Sequence, residues 1–343
     1  MAEPPLLPVL VVGAGVSGLS CGQALVDGGQ SPTLLERARG GGGGGRCATR
    51  RVNGHALDFG ATFLHGRDPD FVAALNAVPA TALPFWPREV SGSGLPCQPE
   101  AFSHGEWRVA FAEGATAFPK HLARGLEVWT LAAAEALEPA SGSVRVRHED
   151  GTTVRARTVV VATAAEEAEA LLATAPAEPE LSAAAAVLRL SRSEPCLALL
   201  AVYPEETAAP TWQLALPERS RILQLASSEG TKRRLPSPAV VYQAHARWSR
   251  EHAEDRGWPR ALLDEAGRVL GPWAAAPRVV EEHRWRYARN GLSAELAAPM
   301  LLRLDGGGRL GLCGDRFGRG GGVEGAWLSG RTLARRILAE EGG

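Results

Sequence analysis

The stretch VVGAGVSGLS, Val11 to Ser20, continues directly from an apolar run over residues 8–12. A short run of that kind suits a buried parallel strand. The next six residues, Gly13-Ala14-Gly15-Val16-Ser17-Gly18, have one glycine for each tight requirement of a strand-to-helix turn over a dinucleotide. Gly13 permits the turn, Gly15 lets the backbone approach a pyrophosphate, and Gly18 lets the helix pack close to the strand. Residues 19–26 read as the helix, and the amides at its start, around Val16 and Ser17, would face phosphate oxygens. Gly28-Gly29 ends that helix and residues 32–35 supply a second strand. Glu36 closes the second strand 18 residues beyond Gly18, where a carboxylate accepts hydrogen bonds from an adenosine ribose and repels a 2′-phosphate. GxGxxG alone is weak, since such a turn can be purely structural. The strand before it, the helix after it and the spaced acid together make it a nucleotide site.

Which dinucleotide is bound turns on the residues beyond Glu36. A domain for NAD alone would continue into another helix. Here the chain passes Arg37, enters six glycines over residues 40–45, and reaches Arg46, a polar Thr49-Arg50-Arg51 turn, and Leu57-Asp58-Phe59-Gly60. A loop of this kind can bring Arg46 to a second face of the pyrophosphate, where a guanidinium makes bidentate, charge-assisted bonds. A solvated basic loop is the plainer alternative. Near the other end, LGLCGDRFGRGGGVEGAWLSG spans residues 310–330. It reads as a short strand over 310–313, a Gly314-Asp315 turn, and a helix starting near Val323, Glu324 and Gly325, with an apolar face through Leu328, Leu333 and Ile337. A flat ring over that helix start would meet the positive end of the dipole, which suits the negative charge of a reduced flavin. Asp315 would accept from a ribityl or ribose hydroxyl, or else simply cap the turn.

Composition sets the limits of this reading. The 343 residues are 45% apolar and 22% charged, with a formal net charge of −1, which is ordinary for a globular chain and provides no global field for nucleic acid or anionic membrane. Arg far outnumbers Lys, which reads as compositional bias. No basic region precedes a long apolar one at the N-terminus, so no signal peptide is expected, and no apolar run reaches the length of a membrane span. Five scattered cysteines without CxxC pairing and eight histidines without HExxH spacing predict reduced thiols, no metal site and a cytoplasmic protein.

Taken together, these stretches resemble the renalase-like branch of the FAD-dependent, amine oxidase-fold flavoproteins. The resemblance runs along nearly the whole chain: Gly44-Gly45-Arg46, Arg50, Leu57-Asp58-Phe59-Gly60-Ala61, Trp248-Ser249-Arg250, His283-Arg284-Trp285-Arg286-Tyr287-Ala288-Arg289, Cys313-Gly314-Asp315 and the block from Val323 to Gly330. The HRWRYAR and VEGAWLSG blocks are its most specific parts. It implies an α/β fold: a Rossmann-type FAD-binding domain built from separated segments, joined to an α+β substrate domain containing a mixed sheet. It also implies FAD held without a covalent bond. Gly13, Gly15, Val16, Ser17 and Gly18 would line the pyrophosphate, Glu36 the adenosine ribose with Arg37 beside it, and Gly45 and Arg46 the phosphates. Gly60 and Ala61 would run past the isoalloxazine, while Asp315, Val323, Glu324 and Gly325 would hold the ribityl chain and pyrimidine edge. Three departures are visible. The glycine loop is longer than the usual form, and ordering it carries a large entropy penalty. Gly60-Ala61 is followed by Thr62-Phe63 where Gln-Tyr is frequent, which alters polarity near the ring. Ala134 stands where an adenine-contacting Val is common.

The implied domain segments are 1–78, 112–175 and 300–343 for FAD, with 79–111 and 176–299 for substrate. In the middle of the chain, residues 118–122 suggest the start of a short helix, and a hairpin around Asp150-Gly151 leads to a buried strand over 158–162. Trp86, Trp212, Trp248, Trp285 and Trp327 are expected near the domain junction. Thr62, Phe63, Trp285 and Tyr287 are the pocket candidates, the last two because alternate residues of a strand share a face. His65, His121 and His245 are weaker acid/base candidates. No residue is assigned as catalytic, because hydride transfer to flavin N5 asks the protein mainly for alignment and exclusion of water. The resemblance implies oxidation of the 2- or 6-dihydro isomers of NAD(P)H to NAD(P)⁺, with O₂ as acceptor and H₂O₂ as product. An amine or other small-molecule oxidase is the alternative, for which an aromatic cage with a buried Lys would be the sign. A flavin-binding protein without turnover and a hydroxylase are further alternatives. Expected partners are a small-molecule substrate and O₂, with no nucleic acid or membrane, in a monomer or weak homodimer.

Overall fold

The computed structural model describes residues 5–39, 45–96, 98–291, 295–318 and 321–341. Residues 40–44 of the glycine run therefore lie outside the described residues. The chain forms an α/β fold and divides into two compact units: Met1–Gly45, Phe118–Ser193 and Asn290–Gly343 in one, Arg46–Ala117 and Glu194–Arg289 in the other.

The first unit is built on an eight-stranded sheet. Leu6–Val12 lies between Pro32–Glu36 and Thr153–Val161, parallel to both. Glu127–Thr130 extends the sheet beyond Pro32–Glu36, and Arg309–Leu312 pairs parallel to Thr153–Val161. Val9, Leu10 and Val11 are wholly buried, as a central parallel strand covered on both faces requires. An antiparallel hairpin, Ala134–Ala140 with Ser143–His148, joins the other half of Thr153–Val161. The first helix, Val16–Asp27, ends at Gly28 as the Gly-Gly pair predicts. It is tied to the last helix, Gly322–Glu341, by the Ser20 hydroxyl, which donates to the Trp327 carbonyl over 2.5 Å. The short helix of the middle region is Ala117–Leu122.

The second unit contains a six-stranded mixed sheet. Val279–Asn290, Ser193–Val202, Ala239–Ala244, Leu223–Ser228 and Leu214–Ala215 are neighbours in that order, and Val90–Ser91 adds in parallel at the edge. One face packs Tyr203, Tyr242, Trp248 and Trp258. On the other, Leu200, Val202 and Val241 pack against Val52, Leu57, Phe59 and Trp285. Residues 46–78 and 112–117, grouped with the FAD domain from sequence, fall in this unit, while 176–193 and 290–299 fall in the first. The buried strand contacts of Leu57 and Phe59 account for the first difference. The helix Pro179–Arg189 accounts for the second, because Leu181, Ala184, Ala185 and Leu188 lie in the core under the parallel strands.

One local expectation is overturned. Residues 49–51 are not a turn. Thr49–Val52 is a strand paired antiparallel to His55–Asp58, and the turn falls at Asn53 and Gly54, with φ of 48° and 81°. Two successive positive φ angles define the tight hairpin loop that Asn-Gly favours.

Among the described residues, no helix is long and apolar enough to cross a membrane, and no group of three or more His, Cys, Asp or Glu could hold a metal ion. Cys21, Cys47, Cys196 and Cys313 are buried thiols outside any disulfide.

Candidate functional site

In the first unit, the loop after Leu6–Val12 is shaped by backbone alone. Gly13 has φ of 104°, and a Cβ there would stand 3.0 Å from the Ala162 carbonyl oxygen. A Cβ on Gly18 would lie 2.0 Å from the Gly13 carbonyl oxygen, so the close approach anticipated for Gly18 is made to the loop itself. Gly15 is the helix N-cap and provides no side-chain cap. A Cβ on it meets no described atom within 4 Å. The first intrahelical bond runs from Leu19 N to Gly15 O at 2.9 Å, so the amides of Val16, Ser17 and Gly18 precede the helical ladder. A bare helix start facing open space is the donor set a pyrophosphate needs.

Glu36 closes this loop from the second strand. Its carboxylate accepts from Ala14 N at 3.3 Å and from Ala38 N at 2.8 Å. A carboxylate has about four lone-pair sites, so capacity for ribose hydroxyls remains beside the loop. Ala132 N donates to the Glu36 carbonyl at 3.0 Å. That backbone contact has no sequence signal, and it places the turn before Ala134–Ala140 next to the carboxylate strand, with Ala134 half-buried at a bulge in the hairpin. Arg37 points elsewhere: its guanidinium is 72% exposed and pairs with Glu167 at 2.6 Å.

At the far end of the same unit, the helix Gly322–Glu341 starts one residue ahead of Val323, and its first bond is Gly325 N to Gly321 O at 2.9 Å. Asp315 is buried. Its carbonyl accepts from the Asn290 side-chain amide at 3.0 Å, and a Cβ on Gly325 would lie 3.6 Å from that same carbonyl. Asp315 and the helix start thus share one corner, as the sequence suggests. Gly45 lies against the first loop, with its Cβ position 3.6 Å from the Gly15 Cα.

The second unit holds the other candidates. Ala61 N donates to the Arg46 carbonyl at 2.9 Å, and a Cβ on Gly60 would fall 2.0 Å from that oxygen. Arg46 therefore fixes this segment through its backbone. Gln243 donates to Gly60 O at 2.7 Å and Trp285 Nε1 to Phe59 O at 3.0 Å. Trp285 also stacks on Phe59, with centroids 5.2 Å apart. Trp285 therefore helps to hold the segment. Tyr287, two residues on, is half-buried on the same face. Thr62 and Phe63 are buried, and Phe63 packs with Trp86, Leu214 and Leu225.

Four charged groups behind this segment have no local signal in the sequence. Lys232 is 0% and Glu229 0% exposed, and Asp58 1%. Lys232 Nζ lies 3.1 Å from Asp58 Oδ2 and 2.7 Å from Glu229 Oε1. Arg233 reaches the same two carboxylates at 2.9 and 2.6 Å. Burial works to raise the Asp58 carboxyl, yet Lys232, Arg233, the Thr49 hydroxyl and the Ala115 amide together hold it below the ordinary range. A buried lysine is present, its ammonium paired with two carboxylates and 4.5 Å from the centroid of Trp86.

The histidine candidates are accounted for individually. His65 Nδ1 pairs with Glu106 at 2.7 Å. His121 in the first unit is pushed down by burial and then by Arg124. Burial lowers His245, with the Ser220 carbonyl opposing and Arg289 adding. His283, between Phe59, Trp285 and Arg50, is driven down to about 4 by burial and then by Arg50.

Comparison with known proteins agrees with this architecture. A family model for an NAD(P)-binding Rossmann-like domain matches residues 11–78. The chain is similar to cyclohexylamine oxidase from Brevibacterium oxydans, at 16% identity and TM-score 0.75 over 99% of this chain and 100% of that one. It is similar to putrescine oxidase bound to putrescine at 15% identity and TM-score 0.74, covering 98% of this chain and 100% of that one. A putative protoporphyrinogen oxidase from Exiguobacterium sp. superposes at TM-score 0.71 with 11% identity, over 98% of this chain and 100% of that one. Identities this low speak for the fold alone. The family model for flavin-containing amine oxidoreductases, however, matches residues 86–338, most of the chain, and it places this protein in the flavin-containing amine oxidoreductase family, as an FAD-dependent oxidoreductase.

Proposed function

We propose that the protein oxidises 2- or 6-dihydro isomers of NAD(P)H to NAD(P)⁺, with O₂ as the acceptor and H₂O₂ as product. FAD, bound without a covalent link, supplies the hydride-accepting atom and the later reaction with oxygen. The chain supplies position. Val16, Ser17 and Gly18 offer amides to the pyrophosphate, Glu36 accepts from the ribose, and Asp315 with the helix start at Val323 and Glu324 takes the ribityl side. Phe59, Gly60 and Ala61, held by Gln243, Trp285 and the Arg46 carbonyl, form a flat backbone edge for the ring. Phe63, Thr62 and Tyr287 would line the substrate side and keep water out.

One observation carries the choice of substrate. Arg289 shares the face of Trp285 and Tyr287 on Val279–Asn290, donates to Gln224, and stands close enough to His245 to help keep that imidazole neutral. A guanidinium on this face disfavours an ammonium ion and suits a carboxamide oxygen or an anionic substituent. A dihydronicotinamide dinucleotide carries both, and its ring becomes aromatic on losing hydride, so no protein base is needed.

The amine reading draws on the putrescine and cyclohexylamine oxidases that share the fold, and the same experiment tests it. Purified protein mixed anaerobically with 6-dihydro-NAD is expected to lose its yellow flavin band. A band that persists with both dihydro isomers, but bleaches with small amines, overturns the proposal in favour of amine oxidation.

A further inference from the structure

We propose that Asp58, Glu229, Lys232 and Arg233 are positioning residues: a neutral, buried set of four charges that fixes the backbone of residues 58–61 against the flavin ring. The inference rests on the proposed course of this segment along the ring.

The set grips residue 58 from both ends. Glu229 Oε2 accepts from the Asp58 backbone amide at 3.0 Å. The Asp58 side chain in turn receives Thr49 Oγ1 at 2.6 Å, the Ala115 amide at 2.9 Å, Lys232 at 3.1 Å and Arg233 at 2.9 Å. Glu229 Oε1 is held by the Ser227 hydroxyl at 2.7 Å. Arg233 adds donors to the carbonyls of Ala56 at 2.6 Å and Ala112 at 2.9 Å. Two carboxylates and two cations leave no net charge, and each carboxylate oxygen has a named donor. The next carbonyls along, of Phe59 and Gly60, go to Trp285 and Gln243. Four consecutive residues are therefore held by groups brought from other strands and turns of the same unit.

A purely stabilising role explains this poorly. A well-packed apolar cluster stabilises at least as well as a buried ion set, and the best-supported use of such sets is to specify one geometry. The lysine sharpens the point. Only two of the 37 basic residues are lysines, so a chain that uses arginine almost everywhere has a compact ammonium here. The ammonium lies between Asp58 Oδ2, Glu229 Oε1 and the Trp86 face with no exposure, a place suited to a compact point charge.

The test uses holoenzyme carrying Glu229→Gln, which keeps shape and removes one charge, and Thr49→Val, which removes a single neutral bond to Asp58. Flavin absorption maxima and the midpoint potential are read well below the melting temperature, with kcat measured for 6-dihydro-NAD as a secondary readout. The expected result is displaced maxima and potential in E229Q, a smaller displacement of the same sign in T49V, and a fall in kcat on the order of 10- to 100-fold for E229Q, as a misplacement near 1 Å produces. Lower melting temperatures with wild-type flavin spectra and potential would overturn the proposal, leaving the set as structure only. Gly60→Ala separates the two levels. If G60A displaces the spectrum and E229Q does not, the positioning role fails while the ring placement stands. If neither displaces it, the ring placement itself fails and takes the proposal with it.

Discussion

Two short segments of this chain have the same task and solve it by opposite means. The loop Gly13 to Gly18 and the segment Asp58 to Ala61 each hold a fixed backbone path that we propose is presented to FAD. In the first, the backbone does the work. A positive φ at Gly13, an approach at Gly18 that excludes a Cβ, and an uncapped helix start are all properties of consecutive residues. In the second, the backbone is held by side chains from far away, with Glu229 171 residues from Asp58 and Gln243 183 residues from Gly60. Only the glycine at position 60 is local. A conformational demand met locally restricts the residue types in place, whereas one met by remote donors can be satisfied from many positions.

The contrast breaks first at Gly15. A Cβ there enters open space, so Gly15→Val is expected to fold and melt like the apo protein. Its branched side chain occupies the approach to the pyrophosphate, and we expect FAD affinity to fall by at least about 100-fold, roughly 2.7 kcal/mol. The check is colour after gel filtration together with a melting curve. Yellow G15V protein would mean that the loop does not work by close backbone approach. A smaller effect is expected at Glu36. Glu36→Gln keeps an acceptor for one of the two amides it serves but loses the charge, and about tenfold weaker FAD binding, near 1.4 kcal/mol, is expected from weakening one charge-assisted bond. Titration of the apo variant with FAD, monitored by quenching of flavin fluorescence, measures it. Unchanged affinity would place the ribose away from this carboxylate.

The same contrast explains how much of the molecule is legible in the sequence. The parallel strands, the first helix with its Gly28 stop, the short helix near Phe118 and the last helix all derive from apolar runs and glycine punctuation. So does the placing of Glu36 at the end of the second strand and of Asp315 in the turn before the last helix. The hairpin at Asn53-Gly54 has an equally local signal, but the polar run Thr49-Arg50-Arg51 masks the dipeptide that makes the turn. Arg37 groups with the cofactor only by adjacency, and its outward direction is set by Glu167, 130 residues on. Lys232 carries a faint signal in being one of two lysines, which composition alone presents as bias. Trp285 reads as lining a pocket, and its indole N–H goes to Phe59 O. Nothing in the HRWRYAR block distinguishes those uses, because the acceptor lies 226 residues earlier.

The finest test of the segment's side-chain support is a titration. His283 sits edge-on to Phe59 and Trp285, and Arg50 lies 4.6 Å above the Phe59 ring. Burial first, and the Arg50 charge second, hold the imidazole at about 4 against an ordinary 6.5. The unfolded chain takes up this proton near 6.5 and the folded chain only near 4, so between those values the unfolded state binds more protons. Stability from this site is therefore complete above the unfolded value and is lost as pH falls toward the folded one. Solvent reaches part of the ring, which keeps the effect modest. His283→Asn removes the titration while retaining a polar side chain, so its melting temperature should fall less steeply than that of the wild type between pH 6.5 and 4. Parallel slopes would show that Arg50 and burial do not restrain this imidazole, and that the aromatic support of Phe59 is looser than its contacts imply.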